Sequence, residues 1–448
     1  MTIILLTLLL FFFIRKKYDY ILYLFIFSNL VIPRNNNFEA LIGFISKNII
    51  WDTRLWLLII MSFILAIKGG KKLLIFSKIE IIVFTSIWGI LIIGILIGRQ
   101  NHNSYLTSDI RLLLEFILTY IVLQKWINLF RIDSNKIIKT FIISGIVYSC
   151  LTIFIYLFLR GSFLAYLYGD VYGVIWGNRV TFPNNTAQYI FLFLSIYMIF
   201  IKKNRMLNTI AILLNSISLL MSQNRTLISL GIIMIFFILI YLFLYKAINK
   251  KITSLYVGIL FFTIPILLLL GIVLVNSPLL ANSDLIGEVL SRFTNEGSGS
   301  VDYRIVTNEY AIESVQNSIL GDGLGKEIMS GGGSSLGSYK VSFVDNVFVS
   351  LYVKLGVVGT CLVALIIIYG FILNLKAYIV SKDILFLIIL IIYPGYIINA
   401  SYMTSQFIHS APVYLAYFLL LFLPKERLYP ALTGSKTFIS MLEGTKET

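Results

Sequence analysis

IEIIVFTSIWGILIIGILI, residues Ile79 to Ile97, decides the fold. A single charge, Glu80, interrupts a run close to the roughly 20 apolar residues that carry a helix across the hydrocarbon core of a bilayer. Thr226 to Tyr245 and Ile252 to Val275 read the same way. The composition agrees, because 58% of the 448 residues are hydrophobic and only 13% are charged, more apolar surface than a soluble fold can hide. These runs lack the alternating pattern of an outer-membrane barrel. The expected fold is therefore all-α, a polytopic membrane helix bundle of about 12–13 transmembrane helices.

Seven basic clusters mark turns on one side of the membrane: Arg15–Lys17, Lys68–Lys78, Lys125–Lys139, Lys202–Arg205, Lys246–Lys251, Lys376–Lys382 and the tail from Lys425. The positive-inside rule makes that side cytoplasmic. Apolar spans alternate between the clusters at 3–14, 18–32, 55–67, 79–97, 109–123, 140–159, 187–201, 206–221, 226–245, 252–275, 346–370, 384–400 and 408–423. Every cluster then lands on the same side, and the C-terminus is cytoplasmic. The first span rises only about 21 Å and leaves the count at twelve or thirteen. It has neither a preceding basic region nor a small-residue cleavage site, so it reads as a retained span rather than a signal peptide. Cys150 and Cys361 both fall in spans, which argues against a structural disulfide. The net charge of +15 is explained by the clusters, so no nucleic acid is expected.

This layout gives membrane spans over 1–275 with an aromatic outer loop at 160–186, then an extracytoplasmic segment at 276–345. Further spans and a cytoplasmic tail occupy 346–448. The extracytoplasmic segment holds nine of the 21 acids. Within it, Arg304–Ser318 reads as a helix with Ile305, Ala311, Ile312, Val315 and Ile319 towards one side. Asp302 stands near its N-cap and Gly321 stops it. Gly297–Ser300 and Ser330–Ser338 read as hinges, which fits a flap over a membrane cavity or an exposed connector.

Arginine and lysine are distributed differently. Nine of the 13 Arg but only four of the 23 Lys fall on the non-cytoplasmic side. Lysine obeys the positive-inside rule and arginine does not, so the outer arginines are expected to hold an anion. A planar guanidinium grips phosphate through two parallel hydrogen bonds.

Four stretches gather the candidate chemistry. GNRVTFPNNTA, Gly177–Ala187, places Arg179 before a helix start whose amides favour an anion. Trp176 and Tyr172 nearby can stack on sugar faces or belong to an interfacial aromatic belt. SQNRT, Ser222–Thr226, is a tight outer turn with Arg225 at the mouth of two spans. DYRIVTNEYAIESVQNSILGDGLG, Asp302–Gly325, carries Arg304 and closes on Gly321, Gly323 and Gly325, whose expected use is a tight backbone turn. No strand precedes these glycines, so a dinucleotide fold is excluded. DNVFVSLYVKLGVVG, Asp345–Gly359, puts Asp345 at the outer end of a span as a general base or a helix cap. Gly356 and Gly359 are expected to let another helix approach closely. Lys354, deeper in that span, and Arg111 with Glu115 in another should face a polar interior. His102 and His409 are isolated, so no metal site is proposed.

These residues resemble the bacterial O-antigen polymerase and ligase superfamily of polytopic membrane proteins (Wzy/WaaL type). The likeness rests on the Arg179…Phe182-Pro183-Asn184-Asn185 loop, the Asn224-Arg225-Thr226 turn and the Arg304…Gly321, Gly323, Gly325 stretch. Asp345-Asn346…Gly356…Gly359 completes it, and the whole spans roughly the C-terminal two thirds. Ligases of this group typically carry His where this chain has Asp345, which favours the polymerase branch. The resemblance implies a metal-independent, inverting glycosyltransferase with no cofactor, in the bacterial cytoplasmic (inner) membrane. Donor and acceptor are both glycans on undecaprenyl diphosphate, within the lipid bilayer, with chain-length regulator and flippase proteins as accessory partners. It further implies Arg179, Arg225 and Arg304 as diphosphate-binding residues, with Asp345, Arg304 and Arg179 as the catalytic set. Two alternatives stand beside it: a ligase-type glycan transferase, and a lipid-linked glycan flippase or transporter.

Overall fold

The computed structural model describes residues 2–31, 53–70, 78–158, 185–201, 203–222, 227–232, 235, 298–330, 339–344, 346–381 and 384–402. These residues are mostly helical. Helices α1 (Thr2–Ile14), α2 (Tyr18–Val31), α3 (Thr53–Gly69), α4 (Lys78–Gln100), α5 (Leu106–Phe130), α6 (Ser134–Phe158), α7 (Asn185–Phe200) and α8 (Arg205–Met221) precede a smaller unit. That unit is helix α9 (Ser298–Glu313) and the strands β1 (Ile328–Ser330) and β2 (Tyr339–Val341); α10 (Val347–Ser381) and α11 (Ile384–Tyr402) follow. Residues 81–100, 134–158 and 347–380 are long and apolar enough to cross a membrane, and six shorter apolar helices accompany them. Trp88, Leu96 and Leu365 stand exposed on two of the long helices, as lipid-facing side chains do.

Helix starts and ends depart from the hydropathy spans where charge and helix part company. Helix α5 begins three residues before the apolar run and ends on Arg131, which takes a left-handed conformation (φ 50°, ψ 50°) and closes on Ile127 O. Helix α10 continues past residue 370 through Lys376, because lysine and asparagine end an apolar window without ending a helix. Spans 252–275 and 408–423, and most of 226–245 and of the 160–186 loop, lie outside the described residues.

Helices α6, α7 and α8 pack closely on one another, α2 lies against α6, and α11 joins α7 to α10. Phe141, Phe191, Tyr197, Phe386 and Tyr393 fill this core. Gly145 lets the Phe191 ring lie against the α6 backbone, where an added Cβ would stand 2.6 Å from it. Two polar pairs inside the bundle bridge helices, Ser149 Oγ donating to Asn215 Oδ1 at 2.9 Å and Gln188 Nε2 donating to Ser218 Oγ, while Ser144, Thr152 and Ser195 donate to carbonyls of their own helices.

The two ends of α5 sort the turns. At its C-terminal end Trp126 Nε1 donates to Tyr18 O at 3.0 Å, and Tyr18 stacks on Phe130 at 4.2 Å. The basic turns Arg15–Lys17 and Lys125–Lys139 therefore share one end of the bundle. About 36 Å away along the helix, its N-terminal end meets the α4–α5 turn and the segment after α9. Stretches assigned to one side by charge thus gather at one end.

Helix α9 departs from expectation. It absorbs Ser298–Ser300, expected as a hinge, takes Asp302 into its interior and stops at Glu313 rather than near Ser318. Asp322 is the reason: its Oδ1 accepts from the amides of Gln316 and Asn317 at 3.0 and 3.1 Å, which would otherwise continue the helix. Of the expected apolar face only Ala311 is buried, while Ile305, Ile312 and Ile319 are exposed. The docked face centres on Thr307 and Ala311, whose small side chains let the helix lie close to β1 and α10, with Arg304 half-buried one turn before Thr307. The two-stranded hairpin, pairing Ile328 with Val341 and Ser330 with Tyr339, was not legible in strands this short.

Candidate functional site

Residues Gly321–Gly325 form a strap that threads between α4 and α10. The three glycines stand at φ +75°, +88° and +78°, conformations that a side chain resists. Leu324 N donates to Gly94 O at 2.9 Å, and the amides of Asp322 and Gly323 donate to Val353 O and Lys354 O at 2.8 and 3.1 Å. Asn103 Nδ2 donates to Leu324 O at 2.9 Å, and Asn101 Nδ2 to Asp322 O at 3.0 Å. Leu324 itself plugs an apolar cluster with Leu91, Ile117, Leu351 and Leu355. The expected tight backbone turn is what is found.

The expectation for Gly356 is corrected. It does not serve helix packing. It takes φ 64° and ψ −166° and breaks α10, so that the strap seats in the gap. Val357 N and Val358 N, freed by the break, donate to Ser318 O and Ile319 O at 2.9 and 3.2 Å. Non-helical backbone inside a membrane-crossing helix needs such internal partners, since lipid offers none. A Cβ on Gly356 would stand 2.2 Å from Ile319 O.

Beside the strap lies a buried charge pair. Asp109, in the first turn of α5, accepts from Lys354 Nζ, from Gly325 N at 2.6 Å and from Ser342 Oγ at 2.5 Å. Lys354 Nζ also donates to Ser342 Oγ at 2.7 Å and sits 3.6 Å from the centre of the Phe343 ring. Lys354 thus faces a polar interior, as a charge at this depth must. Asp109 was missed in the sequence because it stands alone at the start of an apolar span, 245 residues from its partner.

The start of α10 is capped by Asn346, whose Oδ1 accepts from Phe348 N at 2.9 Å and Val349 N at 3.4 Å. Just before it, Val344 N donates to Ser350 Oγ at 3.0 Å. Val344 also joins Ala311 of α9, Ile328 of β1 and Val353 of α10 in one apolar cluster. Arg304 is half-buried on α9, two turns from Ala311 and on the same face. Arg179, Arg225, Asp345, Trp176 and Tyr172 lie outside the described residues. Arg111 is half-buried and Glu115 buried one turn apart on α5.

At the surface the hairpin is tied to the α4–α5 turn. Glu327 bonds Lys340 and Ser104, and Tyr105 Oη donates to Lys340 O at 3.2 Å. The Lys340 hydrogen bond, then that of Ser104, holds the Glu327 carboxyl below the ordinary value of 4.5, while Glu327 raises Lys340 above 10.5. A depressed carboxyl stabilises the contact above 4.5 and releases it as pH falls through the folded value. A raised amine holds it below 10.5 and releases it only above that. Hydrogen-exchange protection of residues 328–330 and 339–341, corrected for intrinsic rates, should therefore stay level through neutral pH and drop in acid. Glu327→Gln should remove the acid step, and an unchanged step in that variant would assign it to another group.

No protein-family model matches the chain, and no curated protein matches it in sequence.

Proposed function

We propose that this protein is a membrane-embedded glycan polymerase of the polytopic, 12–13-span kind. It transfers a growing chain from undecaprenyl diphosphate onto an incoming lipid-linked repeat unit on the outer face of the bacterial cytoplasmic membrane. The observation that carries the reading is the docking of α9. Its Ala311 packs with Val344, the residue before Asp345, in a cluster shared with β1 and α10, and Arg304 is half-buried two turns away on the same face. This packing supports a reading in which Arg304 grips the anion and Asp345 serves as base at one end of the bundle, opposite the basic turns at Arg15–Lys17 and Lys125–Lys139.

The chemistry follows from those residue types. An acceptor hydroxyl attacks the anomeric carbon of the donor, and Asp345 takes its proton. The new glycosidic bond forms as the bond to the lipid diphosphate breaks, with inversion at that carbon. Negative charge grows on the leaving diphosphate, where Arg179, Arg225 and Arg304 stabilise it most in the transition state. The diphosphate linkage already stores the free energy, so no nucleotide is consumed. Capping of α10 falls to Asn346, which leaves the neighbouring carboxylate for the base role. Trp176 and Tyr172 supply stacking faces for sugars.

Arg304→Lys should insert and fold, yet lose about a hundredfold in turnover, because the charge is kept and the bidentate fork is not. Wild-type turnover in that variant would remove Arg304 from the set. In cells, deletion of the protein should leave single repeats accumulated on lipid. Chains of normal length left unattached to their final acceptor would mark a ligase instead.

A further inference from the structure

The proposed reaction makes no use of the charge pair beside the strap, although the pair is the most deeply buried one among the described residues, with side-chain exposures of 1% and 0%. Such a pair is a poor source of stability, because desolvation offsets most of the attraction. Its contacts point elsewhere. Ser342 donates to Asp109 and accepts from Lys354, and Phe343 lies under the Lys354 ammonium. The next residue, Val344, is held by Ser350. Beyond Asp345, Asn346 is fixed as the cap of α10. The pair therefore ties down Ser342 and Phe343, from α5 on one side and α10 on the other, while Ser350 holds Val344. Gly325 N, bonded to the same Asp109 oxygen as Lys354, fixes the strap to this point as well.

We propose that Asp109 and Lys354 are positioning residues for Asp345, acting through Ser342. The inference rests on the reading of Asp345 as the base. Neither charge takes part in the chemistry; together they hold Ser342 and Phe343, the segment through which the chain reaches the proposed base. A base must lie within hydrogen-bond reach of the hydroxyl it serves, and a misplacement of about 1 Å costs on the order of a hundredfold in rate.

The test uses the full chain in liposomes with lipid-linked repeat units, reading initial rates against acceptor concentration and thermal unfolding in parallel. Ser342→Ala keeps both charges and removes only the bridge. The double variant Asp109→Asn with Lys354→Met removes both charges together, a change that buried pairs commonly tolerate. Both variants should unfold near the wild-type temperature and keep KM within about twofold, while kcat falls about ten- to a hundredfold. Asp109→Glu, which keeps the pair, should retain more turnover than Asp109→Asn. Full turnover in Ser342→Ala, with Asp345→Asn inactive in the same preparation, would overturn the positioning role and leave the base intact. Full turnover in Asp345→Asn would remove the base and the positioning role together. If the double variant does not fold, Ser342→Ala decides alone.

Discussion

Asp345→Asn is expected to insert, fold and bind lipid-linked repeats, yet extend glycan at least about a hundredfold more slowly than wild type. Loss of a positioned general base commonly costs about 10²- to 10⁴-fold. Asparagine keeps the shape of the side chain and can still hydrogen-bond, but it cannot take the proton of the attacking hydroxyl. The effect should fall on kcat, with KM for the acceptor little changed, because the amide is nearly isosteric with the carboxylate. The fold should survive, since the capping of α10 belongs to Asn346 and not to its neighbour. Normal chain growth in Asp345→Asn would send the search for a base elsewhere.

The second large effect falls on folding. Gly323→Ala should keep the protein from accumulating in the membrane. An added Cβ would stand 2.2 Å from Gly98 N and 2.6 Å from its Cα, both backbone atoms that cannot swing aside. The left-handed φ alone costs about 1–2 kcal/mol. The clash adds to that by forcing strap and α4 apart, which breaks the Leu324–Gly94 hydrogen bond and lifts Leu324 from its cluster. Gly89→Ala, also on α4, meets nothing within 4 Å and should be neutral or slightly stabilising. Membrane levels and thermal unfolding of the two variants measure the contrast. Equal accumulation would mean that the strap is not seated as described.

The sequence made the bundle's helices legible because membrane crossing imposes one strong requirement, a long apolar run with basic flanks. Helix α7 was expected at 187–201 and runs from Asn185 to Phe200. Where a helix end depends on a distant acceptor, as α9 depends on Asp322, periodicity cannot see it. Gly94 and Gly98 on α4 carry the spacing of a helix–helix contact; Gly94 does face the Leu355 side chain of α10, yet Gly98 receives the backbone of Leu324, because a strap and a helix ask for the same small residues. The turn at Gly321–Gly325 was readable from its own glycines; its seat in a broken α10 was not, since the seat is built from residues elsewhere in the chain. Asp109 and Lys354 each read as an isolated charge, and only folding pairs them. Of the expected site residues, Arg304 is on the described helix α9, whereas the assignments of Arg179, Arg225, Asp345, Trp176 and Tyr172 rest on motif order and topology.

Glycan length, followed over time on purified protein in sealed liposomes, tests the central assignment most directly. Given lipid-linked repeat units and no solute gradient or nucleotide, the wild-type protein should lengthen glycan on its lipid carrier, and Arg304→Lys should not. Movement of lipid-linked glycan between leaflets with no new glycosidic bond would contradict the account and mark a transporter.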